Sequence, residues 1–311
     1  MNKFKGFLFG MTASSTFGLL PLFTLPIMSE GLTTNSILCY RMLFASVLVA
    51  VLMQVRKITF RTNLRELLWF AFLGFFYYGS ASLLFQAYGT MSSGMATTLH
   101  FLYPVGVTLI MALVFKQRPS PFTILAIILG LSGVALLSLK ESGGSSSASL
   151  VGILLVLLSG LSYAAYLVTM NNVRRVRESN NLKLTLYVLI FSALFFLLDT
   201  SLSGGLQMIP SGRALTNLLL LAFLPTLVSN LALVRAVKSI GSTLTSVLGA
   251  MEPLTAIVIG VVVFGEEVTG PMALGILLIL LSVTIIVLSP LLDKNIADRL
   301  RRLSKRPIRR Q

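Results

Sequence analysis

Three ionisable side chains, Arg41, His100 and Glu252, lie well inside long apolar stretches of this 311-residue chain. A charge within hydrocarbon is costly unless it faces a protein interior or a water-filled cavity, so each marks a place where polar chemistry is kept out of bulk water. Glu252 precedes Pro253, which has no amide hydrogen and disturbs the backbone bond to Gly249. A carboxyl desolvated beside such a break can take up and release a proton as its surroundings alternate. It can equally pair with Arg41, or with freed backbone groups, and lock the helix. His100 stands one turn before Pro104, and Ser93, Thr97, His100 and Pro104 share one helical face. An imidazole there can read protons, donate to a bound solute, or simply hydrogen-bond across a bundle. Arg41 is expected near the outer end of its helix, where a long side chain reaches the interface with its head in water.

Other polar groups recur at helical spacing. Gly74, Tyr78, Ser82 and Gln86 form one stripe, and Thr226, Ser229 and Asn230 follow Pro225. Tyr77, Tyr103, Tyr163 and Tyr166 supply aromatic walls with one polar end each. Together they predict a cavity of mixed character, with Glu252, His100, Arg41, Tyr78, Ser82, Gln86, Thr97, Tyr103 and Asn230 as candidates for solute binding or proton coupling. Pro104 and Pro253 are the expected hinges. Fixed charge is scarce, which argues against strongly anionic solutes such as sugar phosphates and suits zwitterionic or neutral amphipathic ones. One His and ten dispersed acidic residues do not make a catalytic set, and no phosphate-cradling Gly loop with Lys is present. The lone Cys39 excludes an internal disulfide and any multi-Cys metal site. Neither a metal nor a cofactor is expected.

The elements that must position these groups are apolar runs, each close to the roughly twenty residues that cross a bilayer as a helix. They cover Phe4 to Met28, Asn35 to Val55, Leu67 to Tyr88, Met95 to Phe115, Phe122 to Leu139, Leu150 to Met170, Leu182 to Leu198, Leu215 to Val234, Leu244 to Phe264 and Met272 to Leu292. Because the runs are continuous rather than alternating, helices are expected and a β-barrel is not. Lys3 and Lys5 before an apolar stretch resemble a signal peptide, but that run is about 25 residues long and ends without a clear small-x-small site. It is taken as span one.

Of the 25 Lys and Arg, 22 fall at the N-terminus, in every second loop and in the tail from Lys294 to Arg310. Lys140 and Arg213 fall in the other loops, and Arg41 within a span. Basic residues are retained on the cytoplasmic side, so the pattern predicts ten spans of a plasma (inner) membrane protein with both termini cytoplasmic. The net charge of +15 is then mainly a topology signal, and no nucleic-acid partner is expected. Ile296, Leu300 and Leu303 lie at helical spacing in the basic tail, which suits a short helix on anionic headgroups.

The chain also repeats itself. A shift of 149 aligns Phe85–Leu139 with Val234–Leu288 without a gap, pairing Pro104 with Pro253, Ala87 with Ala236 and Phe115 with Phe264. A shift of 146 pairs Gly6 with Gly152 and Phe17 with Tyr163. Five spans per half place the second copy upside down, and the Lys116 to Arg118 loop accordingly corresponds to the Glu266–Glu267 loop. The expected architecture is an all-α polytopic membrane protein of ten transmembrane helices in two inverted five-helix repeats. The first is residues 1–141, followed by a flexible Gly/Ser linker at 142–149, the second repeat at 150–292 and the tail at 293–311. Inverted repeats place a solute site near the midplane and permit alternating access. Gly6, Gly10, Ser14 and Gly18 in span one form a small-residue stripe. Ser242, Ser246, Gly249, Pro253, Ala256 and Gly260 form another in span nine. Both suit packing faces or sliding surfaces.

Arg41-Met42-Leu43-Phe44 and two closing segments give these halves a specific resemblance. The segments run from Leu102-Tyr103-Pro104 through Phe115-Lys116-Gln117-Arg118-Pro119-Ser120, and from Met251-Glu252-Pro253 through Phe264-Gly265-Glu266-Glu267-Val268-Thr269. The chain resembles the EamA-type branch of the drug/metabolite transporter superfamily up to about Leu292. The second segment matches that family's Glu-Pro and Gly-Glu pattern, while the first has Tyr103 and Lys116-Gln117 in place of the acidic positions. The resemblance implies export of small metabolites or drugs, and not an enzyme. Amino-acid-like solutes or amphipathic drugs are the expected cargo, with proton coupling left open and the protein working as a monomer or homodimer. The alternatives are a membrane-embedded lipid-processing enzyme, for which clustered acids or nucleophiles are lacking, and a non-transporting scaffold, for which an extramembrane domain is lacking.

Overall fold

The computed structural model describes residues 3–87, 90, 96, 99–138, 150–264, 270–271, 273–286 and 288. Among them every regular element is a helix: α1 (Lys3–Phe17), α2 (Leu20–Ser29), α3 (Thr34–Val55), α4 (Leu64–Ala87), α5 (Tyr103–Leu113), α6 (Pro121–Ser138), α7 (Leu150–Asn172), α8 (Arg174–Glu178), α9 (Asn181–Leu202), α10 (Gly212–Ala222), α11 (Ser229–Ile240), α12 (Ser242–Leu248) and α13 (Met251–Phe264). A last apolar helix, α14, covers Ala273–Ile286. A π-helical segment, Phe223–Val228, joins α10 to α11. The Gly/Ser linker, the Glu266–Glu267 loop and the basic tail lie outside the described residues.

Among the described residues six helical stretches are long and apolar enough to cross a membrane: Lys3–Ser29, Thr34–Val55, Leu64–Ala87, Leu150–Asn172, Asn181–Leu202 and Gly212–Ile240. Shorter apolar helices accompany them, and the chain is a membrane-embedded, multi-pass protein. The outward surface agrees: Val47 and Val51 of α3, Leu154 and Leu158 of α7, and Leu194 and Leu198 of α9 are all exposed. A bundle that presents Leu and Val outward is one whose solvent is lipid, since apolar side chains lose nothing by facing hydrocarbon.

Two of the runs expected to be single helices are broken. Residues 101–102 form a turn ahead of α5, and 249–250 form one between α12 and α13. Pro104 is therefore the second residue of its helix and Pro253 the third, where the missing N–H is one of the groups a helix leaves unpaired anyway. Span one is broken as well, at Gly18–Leu19, with Pro21 at the start of α2.

The helices of the two halves interleave. α1 packs along α11, α12 and α13; α3 along α9, α10 and the π segment; α4 along α7 and α9; and α5 along α7 and α12. Small residues set the approach. A Cβ on Gly6 would meet Ile240 and Ser239, one on Gly74 would meet Phe191 at 2.6 Å, and one on Gly133 would sit 2.8 Å from the Gly275 carbonyl. Serine hydroxyls then tie helix to helix through backbone carbonyls. Ser192 Oγ donates to Gly74 O at 3.0 Å, Ser162 Oγ to Phe76 O at 3.1 Å, Ser229 Oγ to Ala13 O at 2.9 Å and Ser282 Oγ to Ala126 O at 2.6 Å.

The two ends of the bundle differ in charge. At one end Lys183 Nζ donates to Arg61 O at 2.6 Å and lies 3.9 Å from Glu66. Nearby, Lys238 Nζ donates to Ser179 O and Asn181 Oδ1 at 2.7 and 2.9 Å, gathering the basic loops. At the other end Gln207 joins Thr33, Ser36 and Tyr40, and Ser211 Oγ donates to Glu30.

Candidate functional site

Four interruptions of helix meet inside the bundle: Gly18–Leu19, the turn before α5, the π segment and the turn between α12 and α13. A Cβ on Gly18 would run into the Glu252 carbonyl and Thr255, so the first and last of these touch. The Tyr103 hydroxyl sits in the space over Gly249, which brings the second onto the last. Arg41, eight residues into α3, donates from Nε to Thr226 Oγ1 at 2.7 Å, and its guanidinium lies 5.1 Å from the centroid of the Phe17 ring. Thr226 Oγ1 in turn donates to Leu221 O at 2.8 Å, a carbonyl to which Pro225, four residues on, has no N–H to offer. Asn230 Nδ2 donates to Thr226 O at 2.8 Å and to the Tyr77 hydroxyl at 3.3 Å.

Between these segments lies a small cavity of about 20 Å³. Its walls include Phe17, Tyr77, Tyr103, Tyr163, Asn230 and Glu252. The tyrosines form one cluster: Tyr103 and Tyr163 meet edge to face at 4.8 Å, Tyr163 stacks on Tyr166 at 5.9 Å, and Tyr77 lies 5.4 Å from Tyr166. A volume of this size admits roughly one water molecule. The cavity thus combines a carboxyl, an amide and several phenols with aromatic faces, a lining that can hold a small solute having both polar and apolar parts. Among the described residues no group of three or more His, Cys, Asp or Glu gathers to hold a metal.

The expected residues divide into those at the cavity and those away from it. Glu252, Tyr103 and Asn230 line it. Arg41 stands immediately behind Phe17 and Thr226; at 3% exposure it is inside the bundle and not at the interface where a long side chain was expected. Thr226 and Phe17 hold it there. No direct ion pair joins Arg41 to Glu252. His100 Nδ1 lies 3.0 Å from Ser159 Oγ, which donates to Ser80 O, so the imidazole supplies the proton of its own bond to Ser159. Its ring lies 5.7 Å from that of Tyr103, behind the cavity wall. The stripe of α4 faces elsewhere: Tyr78 packs on Phe195 and Phe196 of α9, and Gln86 Nε2 donates to Ser82 Oγ at 3.2 Å. Tyr77, one residue and about 100° around the helix from Tyr78, points to the cavity instead. Thr97 lies outside the described residues. Phe17 and Thr245 also line the cavity. Both belong to apolar or small-residue stretches, and nothing in their type distinguishes them from packing residues.

A second cavity, of about 210 Å³, opens between the Lys116 to Ser120 loop and the turn joining α11 to α12. Its walls carry Gln117, Arg118, Ser120, Asn171, Gly241 and Thr243. Gly241 has φ of 87°, a left-handed conformation that glycine adopts without strain.

The profile of the EamA-like transporter family matches residues 4–139 and again 150–288. A protein of Synechocystis sp. named as an uncharacterized transporter is 26% identical over 239 residues, covering 74% of this chain and 71% of that protein. A protein known from a crystal structure superposes with a TM-score of 0.79, at 20% identity, over 94% of this chain and 98% of the other, and so shares the fold.

Proposed function

Because the chain belongs to the EamA-like transporter family, we propose that it is a secondary transporter that carries a small solute across the membrane by alternating access through the tyrosine-lined cavity. The observation that carries this reading is the meeting of four helix interruptions at that cavity, among them Pro104 and Pro253 at equivalent positions of the aligned halves. Broken helices in a membrane occur where the freed backbone lines a cavity, and they bend where intact helices do not.

The reading takes ten helices as two inverted five-helix repeats, 1–141 and 150–292, with the larger cavity as the vestibule on the side of the basic loops. Paired packing supports the inversion: α4 rests on α7 as α11 rests on α1, and these pairs exchange when the halves are exchanged. The charge difference between the ends supports cytoplasmic termini in a plasma (inner) membrane. Export of amino-acid-like metabolites or amphipathic drugs fits the mixed lining, and Glu252 is the candidate for proton coupling. Counterflow of amino acids, nucleobases and cationic drugs in proteoliposomes, with and without an imposed pH gradient, tests the proposal. Flux of one class that rises with the gradient is the expected result; no flux of any class refutes transport.

A further inference from the structure

The central site holds a basic and an acidic group that are both incompletely paired, Arg41 buried and Glu252 half-buried at the cavity wall. Arg41 is 3% exposed, its Nε is committed to Thr226, and its Nη2 has no hydrogen-bond partner among the described residues. Glu252 borders the cavity, and its carboxyl receives no hydrogen bond from a described residue. The ion pairs among the described residues, Arg174 with Glu178 and Lys183 with Glu66, include neither of them. A buried guanidinium or carboxylate left short of partners is expensive, and direct contact between the two would remove that cost. Thr226 and Phe17 prevent it by fixing the guanidinium from its edge and its face.

We propose that Arg41 and Glu252 are the two poles of a receptor for a zwitterionic solute, Arg41 binding a carboxylate through Nη2 and Glu252 binding an ammonium group. Chemistry selects this class over the others. A lone anion would satisfy Arg41 and be repelled by Glu252, a lone cation would do the reverse, and a neutral solute would leave both charges underpaired. A solute with both groups satisfies both at once. The guanidinium offers the planar N–H donors that match a carboxylate, and Tyr77 and Tyr163 line the cavity with aromatic rings, whose faces attract an ammonium. In the closed form Phe17 covers Arg41; as the last residue of α1 before the Gly18–Leu19 break, it moves with that break when the cavity widens.

This inference rests on the transporter reading, and its test separates the two. Wild-type protein in proteoliposomes is assayed for counterflow of L-leucine, L-threonine and L-phenylalanine, each against its amide, which lacks the carboxylate, and its deaminated acid, which lacks the ammonium. At least one zwitterion is expected to exceed both of its one-pole analogues by about ten-fold or more, because a site built to bond a polar group rejects a solute without it. Arg41→Lys, which keeps the charge but loses the planar fork, and Thr226→Val, which frees Nε, are both expected to bring the ratio of zwitterion to amide down toward unity. Amides carried as fast as their parent zwitterions in the wild type overturn the proposal without recourse to any variant. Counterflow of cationic drugs or nucleobases with none of the zwitterions also overturns it while leaving the transporter reading intact, and no counterflow of any solute overturns both.

Discussion

Tyr103 and Glu252 occupy equivalent positions when the halves are aligned, and both reach the same cavity, yet only one can carry a charge across it. Replacing Glu252 with Gln keeps size and shape while removing the titrating group. Zwitterion flux through the variant is expected to fall because the ammonium loses its partner, and the flux that remains is expected to lose its response to a pH gradient; a response equal to wild type would exclude Glu252 from coupling. Gly249 is the seat of the Tyr103 hydroxyl, so Gly249→Ala is expected to displace that ring and cost about 1–3 kcal/mol of overpacking, measured by thermal unfolding in detergent. Glu252 and Tyr103 stood out in the sequence because each is a polar group directly before a proline within an apolar run, and Asn230 because it is a polar amide within one. Tyr78, Ser82 and Gln86 were legible as a stripe but not as to what the stripe faces, since periodicity defines a face and only the neighbouring helix decides whether it meets cavity or packing. Arg41 was hidden by its own length: a side chain that can reach the interface from its place in α3 is instead held inward by Thr226, 185 residues away.

At the level of elements, Pro104 and Pro253 were singled out as hinges, but the break in span one was not, because the small-residue pattern drew the reading past Pro21. Gly18 continues the Gly6, Gly10 and Ser14 spacing and gives no sign that the helix stops there. Helix ends carry a second surprise. Lys57, just past α3, has φ of 53°, and the bonds from Lys57 N to Gln54 O and from Ile58 N to Met53 O complete a cap normally built on glycine. Lys57→Gly is expected to stabilise the protein by about 1 kcal/mol, read as a raised unfolding temperature, because it relieves the left-handed strain. No gain would mean that the lysine side chain makes a compensating interaction. α6 and α14 approach so closely at Gly133 that valine there should force them apart and lower the unfolding temperature, whereas an equally large substitution at the open Gly212 should not.

For the whole molecule, loop charge was the most legible property, because membrane insertion acts on charge directly and needs no tertiary detail. How the halves interleave was not, since close packing depends on which small residues face one another. The assignment of sides predicts opposite labelling for two exposed positions. In a background with the buried Cys39 replaced by Ser, Arg175→Cys should react with an impermeant thiol reagent only after the cell is opened, and Ser203→Cys in intact cells. The reverse result would invert the orientation. The cavity's size carries a kinetic consequence of its own. At about 20 Å³ it has room for little more than one water molecule, so a larger solute associates only as the cavity widens. Rates of solute binding measured by rapid mixing should therefore level off as solute concentration rises, at a ceiling set by the opening rate and shared by every substrate the protein accepts.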